Sequence, residues 1–460
     1  MTDFFKEKLS SSDPALDGLI TKEYQRQKES IELIASENFT SPAVVQSLGS
    51  ILTNKYSEGY PGRRYYGGNQ VIDQIETLCQ NRALDTFHLK NQDWHVNVQP
   101  YSGSPANFAV YTGLINPGDR IMGLGLPSGG HLTHGFYTAK KKVSATSIYF
   151  QSLPYQVDQN GWIDYDKMEE LATLFVPKVI ITGGSSYPQD IDYKRFREVA
   201  DKVGAYLMVD MAHISGFVAT KMMNSPFEYA DVVTTTTHKT LRGPRSGIIF
   251  INKNSQNKNR ENGSLVTRIN EALFPGLQGG PHNHQIAAVA YQLRQAQNPE
   301  FKIYMEKTRA MAQHLGTVLE ERGYHLMTDG TVCHLLLVDL KSKGVTGSKV
   351  EYVAEMADIS LNKNCIAGDK NAMSPNGIRI GTSAMVTRGF DQKDFTLVGI
   401  YLDEIVQISA QIQVITGKKM VDFKKYLEDE TSEIYLEIQK LKLKVNRLAE
   451  NKPFYDLPHF

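Results

Sequence analysis

Short apolar runs alternate with amphipathic stretches from about residue 42 into the 280s, a pattern that predicts strands and helices in turn, hence an α/β sheet domain. The strongest strand signal is Val232-Val233-Thr234-Thr235-Thr236-Thr237, six consecutive β-branched residues whose stiff χ1 angles suit a pleated surface. Ala205-Tyr206-Leu207-Met208-Val209 predicts a second, buried strand, preceded by an amphipathic segment that ends around Asp201 and Gly204. Val96 to Tyr101 leads into Ser102-Gly103-Ser104-Pro105, with Ser104 expected as the N-cap and Pro105 at the first position of a helix running through Tyr111. Residues up to about Ser41 read as a helical arm. Beyond Pro281 a long helical stretch precedes the strand Val332 to Leu340, which begins a smaller α/β unit. Lys425 to Arg447 carries apolar residues at helical spacing and predicts a terminal helix docked on that unit. Asn252 to Ser264, entirely polar or glycine, is expected as a mobile surface loop. The chain thus divides into an arm (1–41), a large domain (42–285) and a small domain (286–460).

Chemistry gathers at the strand ends. Lys239 follows the β-branched run and Asp210 closes the second strand, so an amine and a carboxylate share the carboxyl edge of the sheet, where ligands bind in open α/β folds. A free lysine has a pKa near ~10.4 and is almost wholly protonated at neutral pH. Covalent duty therefore calls for a carbonyl cofactor that forms a Schiff base with the amine, and pyridoxal phosphate is the usual one. At ~4 Å and an effective dielectric of ~20, opposite unit charges attract by about 4 kcal/mol, enough to raise a pyridine-nitrogen pKa by up to ~3 units. Asp210 is suited to that task, although an aspartate here also suits a helix N-cap. His213 can reach the same pocket or serve as a hydrogen-bonded structural histidine.

The helix start at Ser102 to Pro105, with small residues in front of it, leaves backbone N–H groups free for an anion, as well as being an ordinary helix start. No G-x-x-x-x-G-K-[ST] or G-x-G-x-x-G stands nearby, so the phosphate is not expected to belong to a nucleotide. Tyr56 to Gly68 is too rich in glycine and proline for a regular element and predicts a shaped loop. Its one acid, Glu58, stands among tyrosines that can desolvate it and tune it for proton transfer, the plainer reading being a solvated loop glutamate. Arg379 interrupts an apolar run between Gly377 and Gly381, where a guanidinium can hold a substrate carboxylate bidentately or form an internal salt bridge.

Fifty basic and fifty acidic residues balance, which gives no global field for nucleic acid or membrane. Three cysteines, Cys79, Cys333 and Cys365, lack metal or redox spacing, which fits a reducing compartment. No stretch approaches eighteen consecutive apolar residues, so no membrane span is expected. Early acids and the lack of an apolar signal core at Met1 to Lys8 point to the cytoplasm. His131 and His134 are three apart and His282-Asn283-His284 adds two more, but no cysteine or acid cluster accompanies them with ligand spacing, so no metal is expected.

Taken together, these segments resemble serine hydroxymethyltransferase, from Ile31-Glu32-Leu33-Ile34-Ala35-Ser36-Glu37-Asn38 to Pro453-Phe454-Tyr455-Asp456-Leu457-Pro458. The most specific pieces are the Tyr56 to Gly68 loop, Ser102 to Asn107, Gly129 to Gly135, Asp210 to His213 and Thr234 to Thr240. The resemblance implies a fold-type I pyridoxal phosphate enzyme, with a large, mostly parallel seven-stranded sheet covered by helices on both faces and a smaller C-terminal α/β domain. It implies reversible transfer of the serine hydroxymethyl carbon to tetrahydrofolate, giving glycine and 5,10-methylenetetrahydrofolate in one-carbon metabolism.

By the same resemblance Lys239 matches the cofactor-binding lysine, Asp210 the partner of the pyridine nitrogen, and His131 the imidazole stacked on the ring. His213 and Ser185 match groups near the ring oxygen, and Ser102, Gly103 and Ser104 match the phosphate seat. Tyr56, His238 and Gly280 are similar to residues lining the cofactor pocket, some supplied across the interface of an obligate homodimer or dimer of dimers. Arg379 and Ser36 match the contacts to the substrate carboxylate, Glu58 the acid that exchanges protons around the substrate hydroxyl and the folate, and Tyr66 and Thr236 nearby participants. Folate is expected against Leu126, Gly130, Leu132 and Asn364. Ser383 stands where the family usually has proline, so the loop after Arg379 is expected to be less rigid. The competing readings are a threonine or allo-threonine aldolase or an aminotransferase using the same cofactor, and a catalytically idle folate store or RNA-binding regulator. The intact set of Lys239, Asp210, Glu58 and Arg379 argues against the idle reading.

Overall fold

Seven strands form the large sheet in the computed structural model, which describes residues 4–255, 263–369 and 374–456. Numbered in chain order within the sheets, they are β1 (Trp94–Asn97), β2 (Arg120–Leu124), β3 (Gln151–Tyr155), β4 (Val179–Thr182), β5 (Tyr206–Asp210), β6 (Val232–Thr236) and β7 (Gly247–Asn252). Their spatial order is β1-β7-β6-β5-β4-β2-β3, and β7 alone runs against its neighbours. The β-branched run is β6, buried along its whole length, paired with β5 so that Asp210 lies opposite Thr234.

Alternate residues of these strands enter two separate cores, as a pleated sheet covered on both faces requires. Ile180, Leu207, Val209, Val233 and Phe250 pack on one face, and Ile181, Tyr206, Met208, Val232 and Ile249 on the other. The second face is closed by helices Gly103–Leu114 and Leu265–Glu271, through Ala106, Val110, Leu265 and Ile269. The first is closed partly by helices Gln70–Thr86, Tyr193–Val203 and Asn283–Ala296.

A second, antiparallel sheet contains β8 (His325–Leu326), β9 (Leu335–Asp339), β10 (Asn362–Asn364) and β11 (Gly377–Gly381), ordered β8-β9-β11-β10. The N-terminal arm forms helices Leu9–Ser12 and Pro14–Glu29. It then adds a short strand, Ile31–Glu32, in parallel register with Ile359–Ser360, which brings Ser36 toward the end of β11. Among the described residues no helix is long and apolar enough to cross a membrane.

Three local expectations change. The helix after β1 begins at Gly103 with Ser102 as N-cap, so Ser104 and Pro105 lie inside its first turn. Its entry is set by tertiary packing, because a Cβ on residue 103 would stand 2.7 Å from Thr236 Cγ2. The terminal helical stretch is two helices, Met420–Tyr426 and Glu433–Glu450, the second started by Ser432, whose hydroxyl caps the Tyr435 amide. Ser383 opens the helix Ser383–Thr387 and is 2 % exposed, so the segment after Arg379 is a packed helix start instead of a looser loop. Of the polar stretch at 252–264, residues 256–262 lie outside the described residues.

Candidate active site

The carboxyl edge of the large sheet and the end of β11 enclose a cavity of ≈ 380 Å³. β1 delivers Ser102, Gly103 and Ser104, β2 leads to His131, β4 to Ser185, β5 ends in Asp210 with His213 beyond, and β6 leads through Thr236 to His238 and Lys239. Arg379 enters from β11 and Ser36 from the arm. Twelve residues singled out in the sequence therefore line one space: Ser36, Ser102, Gly103, Ser104, His131, Ser185, Asp210, His213, Thr236, His238, Lys239 and Arg379.

Asp210 is held as a carboxylate from two sides. Asn107 Nδ2 donates to its Oδ2 at 2.8 Å, and Thr234 Oγ1 fixes the amide by donating to Asn107 Oδ1 at 2.7 Å. His134 Nε2 lies 3.3 Å from the same oxygen, while its Nδ1 accepts the His131 backbone N–H at 3.3 Å. That acceptance places the imidazole proton on Nε2, aimed at Asp210. The Ala212 backbone N–H donates to Oδ1 at 3.1 Å, so the N-cap-like contact coexists with the others. Burial pushes the Asp210 pKa up, but the hydrogen bonds from His134 and Asn107 and the neighbouring imidazoles outweigh it and leave the carboxyl well below its usual range.

Lys239 Nζ donates to Thr236 Oγ1 at 2.9 Å, and burial, opposed by the Asp210 charge, lowers its pKa to about 8. His131 is neutral, its pKa brought down to about 4 chiefly by burial, and its Nδ1 accepts the Thr133 N–H at 3.2 Å. Arg379 donates to Ser185 O at 2.9 Å and Asn362 Oδ1 at 2.6 Å, with Ser186 Oγ at 3.4 Å, and has no carboxylate partner among the described residues, so the internal salt-bridge reading does not hold. His213 Nδ1, His238 Nδ1 and Arg379 Nε are buried without a hydrogen-bond partner among the described residues. The Lys239 amine, the fixed Asp210 carboxylate, the Arg379 guanidinium and the small residues Ser102, Gly103 and Ser104 at a helix start line this one cavity, a set whose chemistry fits pyridoxal phosphate bearing a substrate carboxylate.

Tyr56, Glu58, Tyr66 and Gly280 do not line this cavity. They form their own cluster: Tyr56 Oη donates to Glu58 Oε1 at 3.2 Å, Tyr66 packs edge-on against Tyr56 with centroids 5.2 Å apart, and Gly280 lies close under the Tyr56 ring, where a Cβ would stand 3.1 Å from it. Tyr56 and Tyr66 are about half exposed, so within one chain the tyrosines do not enclose Glu58 as expected. Of the expected folate contacts, Leu126 lines a neighbouring cavity of ≈ 240 Å³ that shares His131 and His134 with the first. Leu132 is exposed, Gly130 packs against the Leu124 carbonyl, and Asn364 Oδ1 accepts from Ser186 Oγ at 2.9 Å beside Arg379.

Asn107, His134 and Arg245 line the cavity without having been singled out. His134 carried a signal in its spacing from His131, but its partner Asp210 is 76 positions away and only the fold joins them. No acid stands at ligand spacing from the His131–His134 pair in the sequence, but the fold brings Asp210 to it, so that candidate ligand atoms of His131, His134 and Asp210 lie within 4.8 Å of one another. Both ring nitrogens of His134 take part in hydrogen bonds, one to Asp210 and one from the His131 backbone N–H, while the His131 Nδ1 is engaged by Thr133, so it is His134 that fixes Asp210.

The mostly parallel sheet, with an amine and a carboxylate at adjacent strand ends, defines a fold-type I pyridoxal phosphate-dependent transferase. Residues 9–402 match the family described as serine hydroxymethyltransferase. The chain is 54 % identical to serine hydroxymethyltransferase 4 of Arabidopsis thaliana over 459 residues, covering 98 % of this chain and 96 % of that protein. It is 53 % identical to the chloroplastic serine hydroxymethyltransferase 3 of the same plant (97 % and 84 % covered) and 52 % identical to the cytosolic enzyme of Oryctolagus cuniculus (98 % and 95 %). The chain belongs to the serine hydroxymethyltransferase family, pyridoxal phosphate-dependent one-carbon transferases with tetrahydrofolate as co-substrate.

Proposed function

We propose that this chain moves the hydroxymethyl carbon of serine to tetrahydrofolate, reversibly, through residues assigned as follows. The observation that carries the assignment is the convergence of the Lys239 amine, the Asp210 carboxylate and the Arg379 guanidinium on one cavity of ≈ 380 Å³. Bound pyridoxal phosphate supplies a protonated ring that absorbs the electrons released when the carbon–carbon bond of serine breaks. Lys239 would hold it covalently through its amine. Asp210, already fixed as an anion, keeps a proton on the ring nitrogen. Ser102, Gly103 and Ser104 would receive the phosphate at the helix start, His131 would meet the ring as a neutral imidazole, and Ser185, His213, His238 and Thr236 would complete the lining. Arg379 and Ser36 hold the substrate carboxylate, and Glu58 with Tyr66 exchanges protons around the substrate hydroxyl and the folate. Leu126, Gly130, Leu132 and Asn364 flank the folate.

Because the cluster of Tyr56, Glu58, Tyr66 and Gly280 stands outside its own chain's cavity, we assign it to the cavity of a second copy in a homodimer. Mixing Lys239→Ala and Glu58→Gln protomers tests this. Heterodimers with shared sites regain one intact site each, about a quarter of wild-type activity overall, whereas sites built within one chain regain nothing. We place the protein in the cytoplasm by its likeness to the relative named cytosolic; a tagged full chain found inside an organelle would refute that. The division into arm, large domain and small domain is retained as a proposal, with helix Asn283–Ala296 bridging the two domains.

The deciding experiment is the folate-dependent conversion of serine to glycine by wild type, Lys239→Ala and Glu58→Gln. Near-total loss is expected in both variants, and full activity in either refutes its role. Serine cleavage that proceeds equally well without tetrahydrofolate would point instead to an aldolase.

A further inference from the structure

Arg64 lies six residues beyond Glu58 on the same loop, and its guanidinium is 4 % exposed. Nη1 donates to the carbonyls of Ser57 and Gly59, at 2.8 Å each, so one nitrogen grips the backbone on both sides of Glu58. Nε reaches Asp73 Oδ1 at 2.8 Å and Nη2 reaches Glu76 Oε2 at 2.6 Å. Glu76 is itself buried, at 1 % exposure, and its other oxygen accepts Gln99 Nε2 at 2.9 Å. The same Gln99 amide donates to Gly59 O at 2.9 Å. Between these grips, Glu58 O accepts the Tyr65 N–H at 3.0 Å. Three successive carbonyls of the loop are thereby held, and residue 59 sits at φ +97°, with no room for a Cβ against Arg63 O. Gln99 lies on the segment that runs from β1 to Ser102, and its carbonyl accepts Gln278 Nε2 at 2.9 Å.

A buried ion pair is seldom retained for net stability, since its desolvation offsets most of its attraction, and a role in fixing one geometry is the better-attested use. The loop it fixes carries a carboxylate whose reach decides proton exchange, and a displacement of about 1 Å in such a group can cost about 100-fold in rate. We propose that Arg64, braced by Glu76 and Gln99, is the positioning unit for Glu58, setting the backbone from which that carboxylate extends. The inference rests on the role assigned to Glu58 under the proposed function. Arg64, Glu76 and Gln99 are not among the residues that line the cavity of their own chain.

The test is a double-mutant cycle with Glu76→Gln and Glu58→Gln, in the folate-dependent assay on the holoenzyme. Glu76→Gln alone is expected to lower kcat about 10- to 100-fold while leaving the KM for serine within about twofold, because Arg379 and Ser36 are untouched. Added to Glu58→Gln, it is expected to lower the residual turnover no further. Hydrogen exchange of the Tyr65 amide, followed with and without cofactor, should quicken at least about tenfold in Glu76→Gln. Arg64→Lys, which keeps the charge but cannot span both carbonyls and Glu76, serves as the second variant if Glu76→Gln does not fold, with the same outcomes expected. Additive losses, or unchanged Tyr65 exchange, overturn the positioning role. Full turnover in Glu58→Gln alone overturns the role of Glu58 and this inference with it, which separates the two failures.

Discussion

His134 Nε2 lies 3.3 Å from Asp210 Oδ2 with its proton directed there, because its other ring nitrogen accepts a backbone N–H from His131. One carboxylate oxygen is thus shared by His134 and Asn107, which points a buried anion into the cavity in a single orientation. Asp210→Asn removes the charge proposed to face the cofactor's ring nitrogen. At about 4 kcal/mol for opposite charges ~4 Å apart, turnover should fall by about 1000-fold with the fold intact. His134→Leu keeps the anion but deletes one donor, worth about 1–3 kcal/mol, and should weaken cofactor affinity about 10- to 100-fold. Absorbance titration of the cofactor-free variants, alongside the serine assay, checks both. Equal losses in the two variants would contradict the ranking.

Uptake of the cofactor should depend on pH through Lys239. Only the unprotonated amine attacks an aldehyde, and burial lowers its pKa to about 8, so at pH 7 roughly 10 % is reactive, against well under 1 % for a free lysine. The rate of covalent uptake by the cofactor-free protein should rise with pH and level off above about 8, as followed by stopped-flow absorbance. A rate that keeps climbing toward pH 10 would mean an exposed, unperturbed amine.

Ser383 is 2 % exposed, and its hydroxyl has no partner among the described residues. Ser383→Ala removes an unsatisfied buried group and leaves the carbonyl that accepts Tyr304 Oη at 3.2 Å. Stability should rise by about 1 kcal/mol, read as a higher thermal midpoint with unchanged serine KM.

Arg388 is buried at 2 % exposure and donates to the carbonyls of Gln27, Lys28, Ser30, Ala449 and Pro453. It ties the C-terminal ends of helices Pro14–Glu29 and Glu433–Glu450 to one cation, which the negative ends of two helix dipoles favour. Arg388→Met leaves those carbonyls unsatisfied and should cost about 3 kcal/mol or more, with the arm becoming the first segment cut in limited proteolysis. Undiminished protease resistance would show that other contacts hold the arm.

Local chemistry explains how much of this was legible in the chain. β5 and β6 follow from continuous apolar and β-branched runs, and an α/β sheet places their carboxyl ends at the ligand edge, so the position of Lys239 and Asp210 at that edge is legible from sequence and strand polarity alone. Arg379 stood out because a charge interrupts the apolar run of β11. The start of the helix at Gly103 was misplaced because Ser104-Pro105 is a strong local cap signal, and only the packing of residue 103 against Thr236 moves the entry two residues earlier. The sequence by itself determined the alternation of elements, the candidate groups and the order in which the strands offer them. Only the tertiary structure decided that His134 and Asn107 serve Asp210, that Arg64 grips the backbone around Glu58, and that Glu58 stands apart from the cavity of its own chain. Propensity and periodicity act over a few neighbouring residues, whereas those relationships depend on side-chain hydrogen bonds and packing between segments that meet only once the chain has folded.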